Sequence, residues 1–258
     1  TDGAVVAGPL ARQIVLEKVS LSYEEGLPNA LTDISLTIRA KSSVAFVGES
    51  GAGKSTLADL LTLMLKPQQG RVLIDDVPAE QIVLSRWRDQ IGYVSQETVV
   101  FNDSVANNIS MWAGDTTTDP NLFERVRTAA EQAHIASFIE SLPDGYATEI
   151  GDRGVRLSGG QRQRLFIARE LFRSPRLLIL DEATSALDTD SERAIQHSID
   201  ELKGSITVVI IAHRLSTIRN VDHVYVLEGG RLVEDGPFEA LRERRDSQFG
   251  RLIAMQAL

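Results

Sequence analysis

Gly48, Gly53, Lys54 and Ser55 stand in the stretch GESGAGKST, residues 48–56, at the spacing G-x-x-x-x-G-K-[ST]. Glycines let a loop curl with its N–H groups turned inward, and a following helix adds partial positive charge. A lysine and a hydroxyl then complete a cradle for phosphate oxygens and a divalent cation. The context fits that chemistry. The apolar run SVAFV precedes the loop, and Leu57, Leu60, Leu61, Met64 and Leu65 recur at helical spacing after it, until Pro67 stops the run. A second stretch, RLSGGQRQR at residues 156–164, again sets two glycines at an expected helix start, where a phosphate can be held. A third, LLILDE at residues 177–182, is an apolar strand that ends in two carboxylates. Placed beside the phosphate loop in a parallel sheet, Asp181 is the expected partner of a Mg2+ ion. Glu182 is placed to orient and deprotonate a water attacking the terminal phosphate. Alone, such a strand is more often one that simply reaches solvent, and it is the phosphate loop that reverses the reading.

The elements that must position these residues follow from the periodicity. IVLEKVSLSY and LTDISLTI alternate apolar and polar residues around the turn-forming EEGLPN, which predicts an antiparallel sheet near the N-terminus. From SVAFVG onward the order becomes buried strand, glycine loop, helix, as in parallel α/β sheets. Asn102 to Asp152 shows helical periodicity, as in LFERVRTAAEQAHIASFIESL, without strand runs, and reads as a helical insertion. Three apolar strands then follow, RLLILDE, ITVVIIAH and HVYVLEGG, with a helix from about Asp190 to Leu202 between the first two.

Composition narrows the class. The 258 residues are 43% hydrophobic and 24% charged, ordinary for a globular fold. A formal net charge of -9 argues against a surface built to neutralise nucleic-acid phosphates. With no cysteine, a disulfide framework, a thiolate zinc site and thiol catalysis all fall away. The longest apolar runs, such as VVIIA at 208–212, are far shorter than the ~18 residues of a membrane span. The chain opens on Thr1 without a signal-like segment, which points to a piece of a longer or processed protein.

GESGAGKST, LSGGQRQR, LILDEATSALD and IAHR, in this order, resemble the nucleotide-binding domains of ABC transporters, and the resemblance spans Tyr23 to Gly236. It implies an α/β fold: a P-loop NTPase core with a parallel sheet, an N-terminal antiparallel β-subdomain and an inserted α-helical subdomain. The cassette would cover residues 12–246, with the β-subdomain at about 12–45 and 70–80 and the core at about 43–96 and 160–235. The helical subdomain would fill about 100–160, and 247–258 would form a helical tail. It also implies a Mg2+-dependent ATPase. The phosphate loop (Gly48, Glu49, Ser50, Gly51, Ala52, Gly53, Lys54, Ser55, Thr56) would hold ATP, and Tyr23 would stack on adenine. Ser55, Gln96 and Asp181 would hold Mg2+, with Glu182, His213, Gln96 and Lys54 as the catalytic set. Ser158, Gly159, Gly160 and Gln161 would complete the ATP site of a second copy, so that two domains pair head to tail around their nucleotides. The segment from Ser185 to Asp188 would run along that partner, although Asp188 alone reads equally as a helix cap. His134, His197 and His223 lie in no motif and read as structural.

VLSRWRDQIGYVSQ, FNDSVANNI and TEIGDRG resemble the exporter subclass. That resemblance implies a transmembrane domain preceding this one on the same polypeptide and a place on the cytoplasmic face of the inner membrane. Glu182 and LSGGQ are both intact, which makes a symmetric homodimer the simplest assembly, and the acidic charge predicts no nucleic-acid partner. Three positions depart from the family's pattern. QETVVF lacks the Asp-Pro-like pair after Gln96, Glu170 stands where alanine is common, and Lys41 replaces a frequent glycine. The alternative is a soluble ABC ATPase acting on nucleic acid or ribosomes, which the single cassette, the acidic charge and the absence of heptads disfavour. A P-loop kinase with a chance signature would lack the two further motifs.

Overall fold

A computed structural model describes residues 2–181 and 188–256. In chain order its first elements are β1 (Gln13–Leu21), β2 (Leu31–Arg39), β3 (Ser43–Val47), α1 (Lys54–Leu61), β4 (Gln69–Ile74), β5 (Val77–Pro78), α2 (Leu84–Arg88) and β6 (Ile91–Val94). Then follow β7 (Asp103–Ser104), α3 (Val105–Ser110), α4 (Pro120–Gln132), α5 (Ala136–Ser141), β8 (Glu149–Ile150) and α6 (Gly159–Phe172). The last are β9 (Leu177–Asp181), α7 (Thr189–Leu202), β10 (Thr207–Ile211), β11 (His223–Glu228), β12 (Arg231–Gly236), α8 (Phe238–Arg242) and α9 (Gln248–Gln256). None of the described helices is long and apolar enough to cross a membrane. The chain divides into two compact units: residues 2–91, 176–181 and 203–256 in one, and 92–175 with 188–202 in the other.

The first unit holds two sheets. One is the antiparallel sheet β2-β1-β4-β5, in which β1 meets β2 with Gln13 opposite Arg39 and meets β4 with Ile14 opposite Ile74. The other contains the run β12-β11-β3-β10-β9, parallel throughout except for the closing hairpin β11–β12. β3 and β10 are buried at every residue, as expected of strands covered on both faces. One expectation changes here. β9, with its terminal Asp181, is not the neighbour of β3, because β10 lies between them and pairs with both. The uninterrupted aliphatic run TVVII fits that central place and is buried at every residue, whereas β9 is buried only as far as Leu180 and ends in the half-buried Asp181.

α1 is also shorter than its apolar spacing predicts. It ends at Leu61, and the chain reverses through Leu63 in the left-handed region at φ 58. The Leu63 amide donates to Leu60 O at 3.0 Å and the Met64 amide to Asp59 O at 3.0 Å, the paired bonds of a Schellman stop. Met64 is thereby left 68% exposed, off the apolar face its spacing suggested.

The second unit is mainly helical. Asp119 caps α4 by accepting from the Asn121 and Leu122 amides, with Pro120 at the first helical position. The periodic run from residue 121 onward is broken at His134, φ 54, into α4 and α5. The unit takes in α6 and α7, whereas the sequence pattern predicts the core to resume at about residue 160. It also contains two strands in a region expected to have none: β7 and β8 pair with Asp103 opposite Ile150.

Candidate nucleotide site

The phosphate loop is built from register. In the parallel sheet Phe46 lies level with Ile211, and Ile211 with Asp181. Three strands therefore release the phosphate loop, the His213 loop and the Asp181 carboxylate at one level of the carboxyl edge, the edge where α/β sheets bind ligands. Gly51 and Gly53 take φ 82 and 105, conformations that strain any side-chain-bearing residue. A Cβ on Gly53 would also stand 2.7 Å from Leu31 Cδ2 and 2.9 Å from Ala30 O. Lys54 opens α1 and reaches back across the loop, its Nζ donating to Gly48 O at 2.7 Å. Ser55 is exposed, while the Thr56 hydroxyl meets the Tyr23 hydroxyl at 2.6 Å. Tyr23 is thus tied at its hydroxyl to the base of the phosphate loop while remaining 59% exposed.

Asp181 Oδ1 is buried and accepts no hydrogen bond. His213 Nε2 lies 3.6 Å from it, beyond hydrogen-bond length. The carboxyl of Asp59, on α1, is pushed above the usual aspartate range, first by burial and then by the charge of Asp181. An orphaned carboxylate oxygen with a second carboxyl in electrostatic reach offers hard oxygen donors, and these fit a divalent cation. Glu182, the expected base, and Ser185 to Leu187 lie outside the described residues. Asp188 is described, and it caps α7 by accepting from the Ser191 amide at 2.7 Å.

In the second unit Gln96 is exposed at the tip of a turn. The turn is closed by the Thr98 amide donating to Ser95 O at 3.3 Å and the Ser95 amide donating to Thr98 Oγ1 at 3.1 Å. The chain beyond it is held to α6 by Arg169, which is 5% exposed and donates to Val99 O, Asn108 O and Asn108 Oδ1. Asn108 in turn donates to Phe101 O and accepts from the Phe101 amide. The TEIGDRG segment joins this framework through the β7–β8 pair and through Asn102 Oδ1, which accepts from the Asp152 amide at 2.7 Å.

Gly159 and Gly160 sit at the first turn of α6, where amides lack intrahelical partners. Ser158 and Gln161 form a reciprocal capping box: Ser158 Oγ accepts from the Gln161 amide at 3.2 Å, and Gln161 Oε1 from the Ser158 amide at 2.9 Å. The S-x-x-Q spacing was available in the sequence as that cap. Gly160 is buried, and a Cβ there would lie 2.2 Å from Ser191 Cβ at the start of α7. Its smallness therefore already has a cause within one chain.

Sequence reasoning also missed Gly230. Gly229 and Gly230, at φ 56 and 76, form the two-residue turn of the β11–β12 hairpin, a type I′ pattern that Gly-Gly between apolar strands announces. The Gly230 amide donates to Ala52 O at 3.0 Å inside the phosphate loop, and Gly230 O accepts from the Thr32 amide at 2.8 Å. The hairpin thereby ties the loop to β2.

Two of the departures from pattern gain physical reasons. Lys41 stands at φ 62, a conformation in which glycine is unstrained. Glu170 accepts from the Tyr93 amide and meets Arg173 Nη1 at 3.2 Å, and burial raises its carboxyl above the usual range. The remaining histidines make local contacts. His134 Nε2 approaches Glu201 at 3.1 Å without hydrogen-bond alignment, its ring 5.8 Å from that of His197, and His223 Nε2 meets Asp235 at 2.7 Å.

A parallel sheet whose carboxyl edge carries a glycine loop, a lysine-led helix and a strand-end aspartate defines a P-loop nucleotide-binding domain. The ABC transporter family matches residues 31–185, and the chain belongs to that family as its ATP-binding ATPase domain. It is 47% identical over 255 residues to an ATP-dependent lipid A-core flippase of Methylobacillus flagellatus, covering 99% of this chain and 43% of the relative. It is 46% identical over 237 residues to the heterocyst differentiation ATP-binding protein HepA of Nostoc sp., covering 92% and 38%. Among solved structures, a bacterial Atm1-family ABC exporter with ATP bound superposes with a TM-score of 0.82 at 39% identity, over all of this chain and 43% of that one. The chain thus spans less than half the length of these relatives.

Proposed function

We propose that this domain is the motor of an exporter, hydrolysing ATP in a head-to-tail homodimer to drive a transmembrane domain that precedes it on the same polypeptide. It would work at the cytoplasmic face of the inner membrane. The observation that carries the reading is the shared level at which β3, β10 and β9 deliver the phosphate loop, His213 and Asp181. The exporter and the flippase among the relatives favour transport over a soluble role on nucleic acid or ribosomes.

In this mechanism the amides of Gly48 to Thr56 and the Lys54 ammonium hold the ATP phosphates, and the exposed Tyr23 ring offers a stacking face to adenine. Ser55, Asp181 and Gln96 would hold Mg2+, which when bound neutralises charge on the phosphates. Glu182 accepts the proton of the attacking water, and His213 donates to the terminal phosphate as the bond to it breaks. Ser158, Gly159, Gly160 and Gln161 present the first turn of α6 to the partner's nucleotide; the Ser158 hydroxyl, accepting within its own cap, keeps its proton for that contact. Hydrolysis then removes the ligand that joins the two copies, a mass-action release.

The test is Glu182→Gln, assayed for nucleotide binding and phosphate release. Binding is expected to persist while turnover falls at least ~100-fold, within the range of a lost general base. Turnover at the parent rate overturns the assignment. On that background, Ser158→Arg should abolish the ATP-dependent dimer on a sizing column while each monomer still binds ATP.

A further inference from the structure

The C-terminal helix α9 is firmly seated. Its first amides are met by acceptors: Glu234 Oε1 and Oε2 accept from Gln248 and Phe249 at 2.8 and 3.1 Å, and Ser247 Oγ accepts from Gly250 at 2.9 Å. Phe249 is fully buried, edge-on to Phe238 with centroids 5.3 Å apart, and Leu252 is buried one turn later. Eight residues after Gln248, about 12 Å at the helical rise, stands Gln256. Its side-chain amide makes two hydrogen bonds with the loop that follows β10. Gln256 Nε2 donates to His213 O at 2.6 Å, and Gln256 Oε1 accepts from the Leu215 amide at 2.8 Å. One planar amide thus bridges the backbone on both sides of Arg214, and the residue that begins the bridge is the one whose imidazole faces Asp181.

We propose that Gln256 is a positioning residue for His213, so that hydrolysis depends on α9 being seated. This rests on the role given to His213 above. The physical argument is that, among the described residues, the ladder between β10 and β3 runs as far as Ala212, whose amide donates to Phe46 O at 2.9 Å. Beyond that point the His213 carbonyl and the Leu215 amide are turned toward Gln256, and the amide clasp fixes the peptide planes that flank the imidazole. A side chain as exposed as Gln256 contributes little to folding, so its two bonds bear chiefly on the geometry of the loop.

The test compares the whole chain with Gln256→Ala, Gln256→Met, His213→Ala and the Gln256→Ala/His213→Ala pair. Steady-state hydrolysis, the melting temperature and amide exchange at Leu215 are read for each. Gln256→Ala and Gln256→Met, the second keeping the bulk without the bonds, are both expected to lower kcat about fivefold with KM nearly unchanged. Leu215 exchange should rise and the melting temperature should stay within about 1 °C. In the pair, Gln256→Ala should add nothing to the loss already caused by His213→Ala. Parent-level kcat in both Gln256 variants overturns the clasp, as does full rescue by methionine or an additive loss in the pair. If His213→Ala itself retains the parent rate, the role of His213 fails and this inference with it, and that single variant tells the two failures apart.

Discussion

Gly230 offers the sharpest test of how the phosphate loop is held. Its amide supports Ala52 O while its own Cα faces the backbone of Ala30: a Cβ would come within 2.5 Å of Ala30 O and 3.0 Å of Ala30 C. Its neighbour Gly229 is also left-handed, at φ 56, yet a Cβ there would meet nothing within 4 Å. The two positions separate two physical effects in one turn. Gly229→Ala carries only the left-handed strain, about 1 kcal/mol. Gly230→Ala, at φ 76, carries the same strain and must also push two backbones apart, an overpacking of about 1–3 kcal/mol, for about 2–4 kcal/mol in all. Because Ala52 moves with Gly230, about 1.4 kcal/mol of that distortion should appear as tenfold weaker ATP binding. Denaturant midpoints give the stability difference, and a fluorescent ATP analogue gives Kd. Equal losses in the two variants, or unaltered nucleotide affinity in Gly230→Ala, would refute the argument.

Other consequences follow from the same geometry. Gly160→Ala should cost about 1–3 kcal/mol because its methyl group would collide with Ser191, and Ser191→Gly in the same chain should recover most of it in a thermal melt. A double variant no more stable than Gly160→Ala would show that the collision is not what excludes a side chain. Asp59 has a raised folded pKa, so the folded state binds its proton more tightly than the unfolded chain does. Stability therefore falls as pH rises from the ordinary value near ~3.9 through the raised one, and Asp59→Asn should abolish that fall in denaturation measured across pH. Parallel pH profiles for the parent and Asp59→Asn would contradict it. Arg169→Met should loosen the chain from Val99 to Ser104, seen as faster exchange of the Phe101 amide, since it withdraws every bond Arg169 makes to Val99 and Asn108.

What the sequence determined by itself was the chemistry and its order. G-x-x-x-x-G-K-S between an apolar run and an amphipathic one has few physical solutions, and alternation, aliphatic runs and helical spacing announced both kinds of sheet and the helical insertion. Spacing could not say that TVVII would come between SVAFV and LLILD, because strand order depends on which aliphatic runs are covered on both faces, a property of the assembled layers. Nor could it stop α1 at Leu61, where the left-handed Leu63 two residues on overrides a periodicity that runs on to Leu65. Only the tertiary structure decided the long-range contacts: Gly230 against the phosphate loop, Gly160 against Ser191, and Gln256 against the backbone of His213. Each joins residues distant in the chain through a single hydrogen bond pair or a missing methyl group, a scale of interaction that leaves no periodic trace in the sequence.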